Sequence, residues 1–458
     1  MKKCRLVVTL LIFCVALSSV GATTIDEIIE AAKNYSVSYQ NVLLSYSNGL
    51  MSIEALEKEK TVGVSVEATV NPLVGAGTDE MGISASPSVS ITLPDDDTTI
   101  TGSLSVATKY NGNDTTVSGN VGVSHTFDFN AYDSTYADNL SYLSTKYSTE
   151  MSYKSAELNF EKSVLSMVSQ ILSMESSLLQ SKYNVEKQQA ALDKLDALGT
   201  YSEDSPTYIS AQNVLTSYEQ SLGALQDQYN SLLVSYTAMT GLDWDGVEVG
   251  AVPDLVFETE ADGNTSLKLE EMSAQSSEES YKSALAQANK SNLSTNLVVS
   301  ADSSNSYSVS GSATYNSNNW HVSVTPSVSI TSGDVTPQLT IAGSWSNTAK
   351  SDNSVNSALN SAKMAANNYI EALSSYNDSV SSYALQVLQY ENKQTQTEAD
   401  LAYKKMLLDN EQNLNDLGLS TDDSLRSAQI DYEVAQNEWK QFVLEGMSLQ
   451  RDLDVFML

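Results

Sequence analysis

The chain has 458 residues and a formal net charge of −33, with 24 Lys and Arg against 57 Asp and Glu. So acidic a chain is excluded from binding nucleic acid by phosphate neutralisation. With 41% hydrophobic residues but only 7 Phe, and rich in Ser and Asn, it does not read as one large compact globule.

The N-terminal stretch MKKCRLVVTLLIFCVALSSVGATT places Lys2, Lys3 and Arg5 before an apolar run, Leu6 to Leu17, and small residues at Val20-Gly21-Ala22. That order predicts a secretory signal peptide over residues 1–22, since the apolar run is too short for a membrane helix. Cys14 invites a lipid-anchor reading, but Phe13 precedes it and apolar residues continue beyond it. Cys4 and Cys14 are the chain's 2 cysteines, so the mature chain is expected to carry no thiol, disulfide or cysteine metal site.

A helix is expected over about 25–58. Four alternating stretches follow. Val62, Val64, Val66, Ala68 and Val70 share one face, as do Ile83, Ala85, Pro87, Val89, Ile91 and Leu93 against a row of Ser and Thr. ITGSLSVATKY comes next, then VSGNVGVSHTFDF, with turn-like breaks at NPLVGAGTDE, PDDDTT and NGND. Residues 133–198 hold almost no Gly or Pro and predict a single helix of roughly 100 Å at about 1.5 Å per residue. Its Leu158, Val164, Leu165, Val168, Ile171, Leu172, Leu178 and Leu179 recur at three- and four-residue steps. Such a seam needs partner helices. A turn at LDALGTYSEDSPTYISAQ (195–212) leads to a helix over 206–240.

Residues 241–266, acidic and irregular, read as a connector. The order then recurs: a helix over 267–291, strands over about 296–346, a long helix over 350–417, a turn at LNDLGLSTDDSLRSAQ (414–429) and a helix over 424–457. The chain therefore reads as an internal duplication, 23–240 and 267–458, with two short helices stacked end to end beside each long one. Strands of this length, apolar on one face and Ser/Thr/Asn on the other with aromatics near their ends, suit a transmembrane β-barrel. A soluble sandwich, its apolar faces turned to a core, is the competing reading.

Sites of chemistry are scarce. His125 and His321 lie in predicted strands, and equivalent strands of the two halves could bring them near each other. No phosphate loop or nucleophile elbow is present, and the acidic pairs fall in turns. No catalytic constellation, cofactor or metal site is expected, and the chain is not read as an enzyme.

The stretch TIDEIIEAAKNYSVSYQNVLLSYSNGLMSIEALEKEKTVGVSVEATVNP, together with the two Leu-Gly…Asp-Ser…Ala-Gln turns, resembles the TolC-type outer-membrane efflux proteins. The likeness runs through the element order of residues 24–458. It implies a mixed α+β membrane protein: a homotrimer whose strands close one outer-membrane β-barrel and whose helices form a long, coiled-coil-like periplasmic barrel. It also implies a passive duct for efflux or type I secretion, with an inner-membrane transporter and a periplasmic adaptor as partners, outer-membrane lipid around the barrel, and no role for nucleic acid. Gly199 and Gly418 are the turn glycines of the two tips, and Glu203, Asp204, Ser205, Asp422, Asp423, Ser424 and Arg426 are the pore-mouth candidates. Helix capping accounts for the same residues: Ser205 before Pro206, and Asp422, Asp423 or Ser424 at a helix start.

The chain departs from the family's pattern in strand count, four per half instead of two. Its tip Asp204 and Asp423 stand one residue before the family's position, and Ser420 occupies the place of a basic gate residue, leaving Arg426 as the nearest cation. A structural or adhesive coiled-coil surface protein is the alternative from another class. A general porin fits less well, because porins do not need long periplasmic helices.

Overall fold

In a computed structural model the described residues are 23–58, 63–73, 82–92, 98–109, 115–129, 131–198, 204–289, 291–304, 306–317, 320–331, 334–345 and 352–458. The expected signal peptide therefore lies outside the described residues. In chain order the elements are β1 (Thr23–Thr24), α1 (Ile25–Tyr35), α2 (Val37–Lys58), β2 (Gly63–Leu73), β3 (Gly82–Thr92), β4 (Thr98–Lys109), β5 (Thr115–Phe129), α3 (Thr135–Leu198) and α4 (Pro206–Thr240). Then come β6 (Val247–Glu248), α5 (Thr265–Ala288), β7 (Ser291–Asp302), β8 (Ser306–Asn316), β9 (Trp320–Thr331), β10 (Asp334–Trp345), α6 (Asp352–Asp416) and α7 (Asp422–Met457). The first predicted helix is broken at Ser36, which is extended at φ −69° and ψ 125° and donates its N–H to Ala32 O. A serine followed by β-branched Val37 is a weak place to continue a helix. Thr24 and Glu27 form a capping box at the start of α1.

The chain divides into two compact units. One contains Asn48–Thr149 and Thr265–Ser375 and is built on an 8-stranded antiparallel sheet in the order β10-β9-β8-β7-β5-β4-β3-β2. The register carries one apolar face across it: Val66 pairs with Val89, Ile91 with Ile100, Ile100 with Val123, Val121 with Val299, Val299 with Val309, Val309 with Val328, and Val324 with Ile341. Pro87 and Pro326 interrupt the ladders from β3 to β4 and from β8 to β9, as residues without an N–H must. β7 begins at Ser291, earlier than its weak alternation suggested, because Leu293 pairs with Phe127 and Ser291 with Phe129.

The other unit contains the described residues up to Ser47, Glu150–Asn264 and Tyr376–Leu458. Its core gathers Ile28 and Ile29 of α1 with Val164, Leu165, Val168, Ile171 and Leu172 of α3, Tyr236 of α4 and Leu444 of α7. α3 is shared lengthwise, with Tyr39 of α2 against Phe160 and Glu157, and Tyr229 of α4 donating to Glu175 at 2.9 Å. α7 runs antiparallel to α3, joined by Asn437 to Ser176 and by Arg451 to Glu161. It also packs on α6, where the rings of Tyr390 and Phe442 stack 4.4 Å apart. Gly446 is required at this approach, because a Cβ there would collide with the Tyr390 hydroxyl and crowd Pro253. The expected connector is pinned to α7: the Gln450 side chain accepts from Val256 N at 2.8 Å and donates to Val256 O at 3.2 Å.

Candidate functional site

Two features could carry function: the faces of the sheet and the turns that end the long helices. On the sheet, apolar side chains are the exposed ones. Val121 is 60% and Ile341 67% accessible, whereas Ser84, Ser86, Ser88 and Ser90 on the opposite face are half-buried. Hydroxyls on that second face bond one another, Ser86 to Ser105 at 3.2 Å and Ser300 to Ser308 at 2.6 Å. A soluble sandwich requires the reverse, its apolar faces packed on a second sheet. Among the described residues no second sheet lies there, so the sandwich reading is corrected.

Strand polarity sorts the two ends of this sheet. β5 and β10 end where α3 and α6 follow, and β7 begins where α5 ends. Phe127, Phe129, Tyr315, Trp320 and Trp345 all sit at that helix-side end, on the apolar face, and all are exposed. Such a row of aromatic rings is the chemistry of a membrane–water interface, where a ring meets lipid on one side and headgroups on the other.

The histidines do not meet. His125 lies on the apolar face beside Thr98, its Nδ1 2.8 Å from Thr98 Oγ1. His321 lies on the hydroxyl face, its Nδ1 2.5 Å from Asn316 Oδ1. The idea of a shared histidine pair fails because the two residues have opposite parity in their strands and β7 and β8 intervene. Among the described residues no cluster of His, Cys, Asp or Glu is placed to hold a metal, and no helix is long and apolar enough to cross a membrane.

Of the first turn, Gly199 and Glu203 lie outside the described residues. Asp204 is exposed, and Ser205 caps α4, its Oγ accepting from Tyr208 N at 3.3 Å with Pro206 at the first helical position. The second turn is described in full. Gly418 has φ +68°, and its N–H reaches Asn415 O at 2.8 Å while Leu419 N reaches Leu414 O at 2.8 Å. This is the paired bonding that ends a helix on a left-handed glycine.

The cap of α7 is Thr421, whose Oγ1 accepts from Ser424 N at 3.2 Å, and not Asp422, Asp423 or Ser424 as expected. Sequence reading missed Thr421 because a Thr-Asp-Asp-Ser run offers four residues of capping type, and only backbone geometry chooses among them. The acidic pair then occupies the first turn of α7, where the helix dipole favours it. Asp422 accepts from Asn415 Nδ2 at 3.0 Å and Asp423 from Tyr183 Oη at 3.3 Å. Arg426 pairs with Glu186 of α3 at 3.4 Å. Also unanticipated are Leu417 and Leu419, 72% and 74% exposed at the turn.

Comparisons with known proteins bear on this arrangement. A family model described as the TP096X N-terminal domain matches residues 38–258. No curated protein sequence matches significantly. Among solved structures, the outer membrane protein VceC of Vibrio cholerae superposes with a TM-score of 0.50 at 13% identity, over 94% of each chain. The Campylobacter jejuni CmeC outer membrane channel gives 0.51 at 11% identity, over 94% of this chain and 85% of that one. The fold is that of the TolC-type outer-membrane channels. The open-state MtrE outer membrane channel of Neisseria gonorrhoeae adds 0.51 at 10% identity, over 94% of this chain and 88% of that one. In chain order β5 precedes α3 and the first turn follows it, as β10 precedes α6 and the second turn follows it.

Proposed function

We propose that the chain is one subunit of a homotrimeric outer-membrane duct for efflux or type I secretion. It is exported through a cleaved signal peptide and works passively with an inner-membrane transporter and a periplasmic adaptor. The observation that carries this reading is the sheet: a mainly apolar face running across all eight strands, exposed and ending in an aromatic row on the helix side, asks for lipid. Support for neighbouring copies comes from α6, where Leu385, Leu388, Tyr403 and Met406 form an exposed stripe at helical spacing. A contact between unlike surfaces of identical chains closes a ring when the rotation allows.

In this reading residues 23–240 and 267–458 are the two repeats, and the two turns become hairpin tips at the periplasmic mouth. Glu203, Asp204, Asp422 and Asp423, repeated in each copy, place acidic rings there and attract cations. Arg426 is occupied within its own chain by Glu186, so it holds the two hairpins of one subunit together.

The test is purification followed by planar-bilayer recording. A detergent-stable trimer that conducts, with a cation preference lowered in the Asp204→Asn/Asp423→Asn variant, is expected. A water-soluble monomer without channel activity overturns the duct. Conduction with unchanged cation preference in the variant removes only the role of the acidic tips.

A further inference from the structure

We infer that all eight strands of each copy enter one barrel, β10 of one copy pairing with β2 of the next. This rests on the duct reading above, and with three copies the barrel has 24 strands. The argument begins at the sheet's edges. The order β10 to β2 is linear and does not close within the chain, so β10 and β2 each present an unused ladder. They are matched in length, 12 and 11 residues. They also run in opposite directions, β2 leaving the helix side and β10 returning to it. An even strand number per copy therefore makes every joint antiparallel, as a closed barrel of identical copies requires. Closure also removes two edges that would otherwise pair with unrelated chains.

The chain could not instead fold its own sheet into a small barrel. An eight-stranded barrel fills its interior with side chains. Here the face opposite the lipid carries Ser88, Ser90, Ser103, Ser308, Ser310 and Ser327 and their like, too small to fill a lumen but well suited to line water. Away from the strand ends, Glu67 on β2 is the one charged side chain of the described residues on that face. At a strand spacing of about 4.8 Å and a tilt of about 40°, 24 strands give a backbone diameter of roughly 50 Å, about twice that of a 12-stranded barrel. The outer end of the duct is then a wide, hydroxyl-lined pore whose described acidic groups, Glu67 apart, stand near strand ends at Asp128, Asp302 and Asp334. It suits bulky hydrophilic cargo.

A template for the joint exists inside the chain. β5 and β7 join the last strand of the first half to the first strand of the second, with Phe129 beside Ser291 where the strands meet the helices. Shifted by one residue, so that the apolar faces of β10 and β2 stay on one side, that register puts Trp345 of one copy beside Val64 of the next, and Thr340 beside Thr69. Directly opposed residues in an antiparallel pair come within disulfide reach.

The experiment uses the trimer in membranes, which lacks native cysteines once residues 1–22 are removed. Thr69→Cys/Thr340→Cys is expected to give covalent dimers and trimers on oxidation, and Ser300→Cys/Ser308→Cys, paired within one chain, is the control for a folded, accessible sheet. Electron microscopy of the unmodified trimer is expected to show a barrel roughly 50 Å across. A trimer whose barrel is about half that width overturns the inference and leaves the duct reading standing. A chain that is not trimeric overturns the reading on which the inference rests.

Discussion

The two units of this chain use the same apolar residue types in opposite ways. On α3, Val168 is wholly inaccessible, packed among Leu165, Ile171, Leu172 and residues of α1, α4 and α7. On β5, Val121 stands exposed in a row of equally exposed neighbours. Period decides which outcome a residue meets. At steps of three and four, apolar side chains converge on a stripe that neighbouring helices cover. At steps of two they spread over a flat face too broad for any element of the same chain. One unit carries its solvent-excluding partner with it, and on the other no protein among the described residues covers the apolar face.

That difference is broken most strongly by matched truncations. Ile171→Ala opens a cavity in the helical core and is expected to lower stability by about 2–5 kcal/mol. Val121→Ala, with no protein packed on it, is expected to change stability by less than about 1 kcal/mol in the same detergent-based denaturant titration. Equal losses at the two sites would mean that the sheet face is covered by protein after all.

A charge sharpens the comparison by depth. Val121→Arg, near the middle of the apolar face, is expected to cost about 2–4 kcal/mol in lipid, against about 0–1 kcal/mol for Phe129→Arg in the aromatic row. Refolding titrations into vesicles give both numbers. Similar penalties at the two positions would contradict an interface at the helix-side end.

How far these features were legible depends on how local their causes are. Alternation marked the strands, though not the start of β7, and the Leu-Gly turns marked where the long helices stop, because both signals lie within about ten residues. The network that joins α1, α3 and α7 gave no such signal. Lys33 meets Glu157 at 3.0 Å and Glu161 at 2.6 Å, and Glu161 meets Arg451 at 2.5 Å. Its members come from distant parts of the chain, and each alone reads as a solvated charge on a helix. The cap at Thr421 and the opposite faces of His125 and His321 were also hidden, the first among equivalent neighbours, the second behind the parity of separate strands.

The network belongs to the helical unit alone and titrates accordingly. Burial alone would raise the Glu157 carboxyl, but hydrogen bonds from Lys154 and Lys33 hold it below its ordinary 4.5. Burial likewise works against Lys33, yet Glu161 and Glu157 raise it above 10.5. A lowered carboxyl stabilises above its unfolded value and loses that contribution as pH falls through the folded one. A raised amine stabilises below its unfolded value and loses it as pH climbs through the folded one. Thermal stability of the helical unit should therefore be level between roughly pH 4.5 and 10.5 and decline on either side. Glu157→Gln should lower the plateau by about 1–3 kcal/mol and soften the acid decline. The strand unit's thermal transition should not follow this profile.

The smallest effect concerns the described tip. Gly418 holds φ +68° with open space where a Cβ would stand, so Gly418→Ala meets no clash and suffers only backbone strain. That strain is about 1–2 kcal/mol for a non-glycine residue in the left-handed region. The expected loss is thus about 1–2 kcal/mol, confined to the last turn of α6, and hydrogen exchange at Leu419 and Ser420, whose N–H groups both bond Leu414 O, should rise. Gly418→Asn, which tolerates this conformation better, should recover part of the loss. A turn that only capped a helix would show no more than this. A turn that also forms the duct's mouth would show altered conductance in Gly418→Ala, with Gly418→Asn restoring part of the stability and of the conductance together.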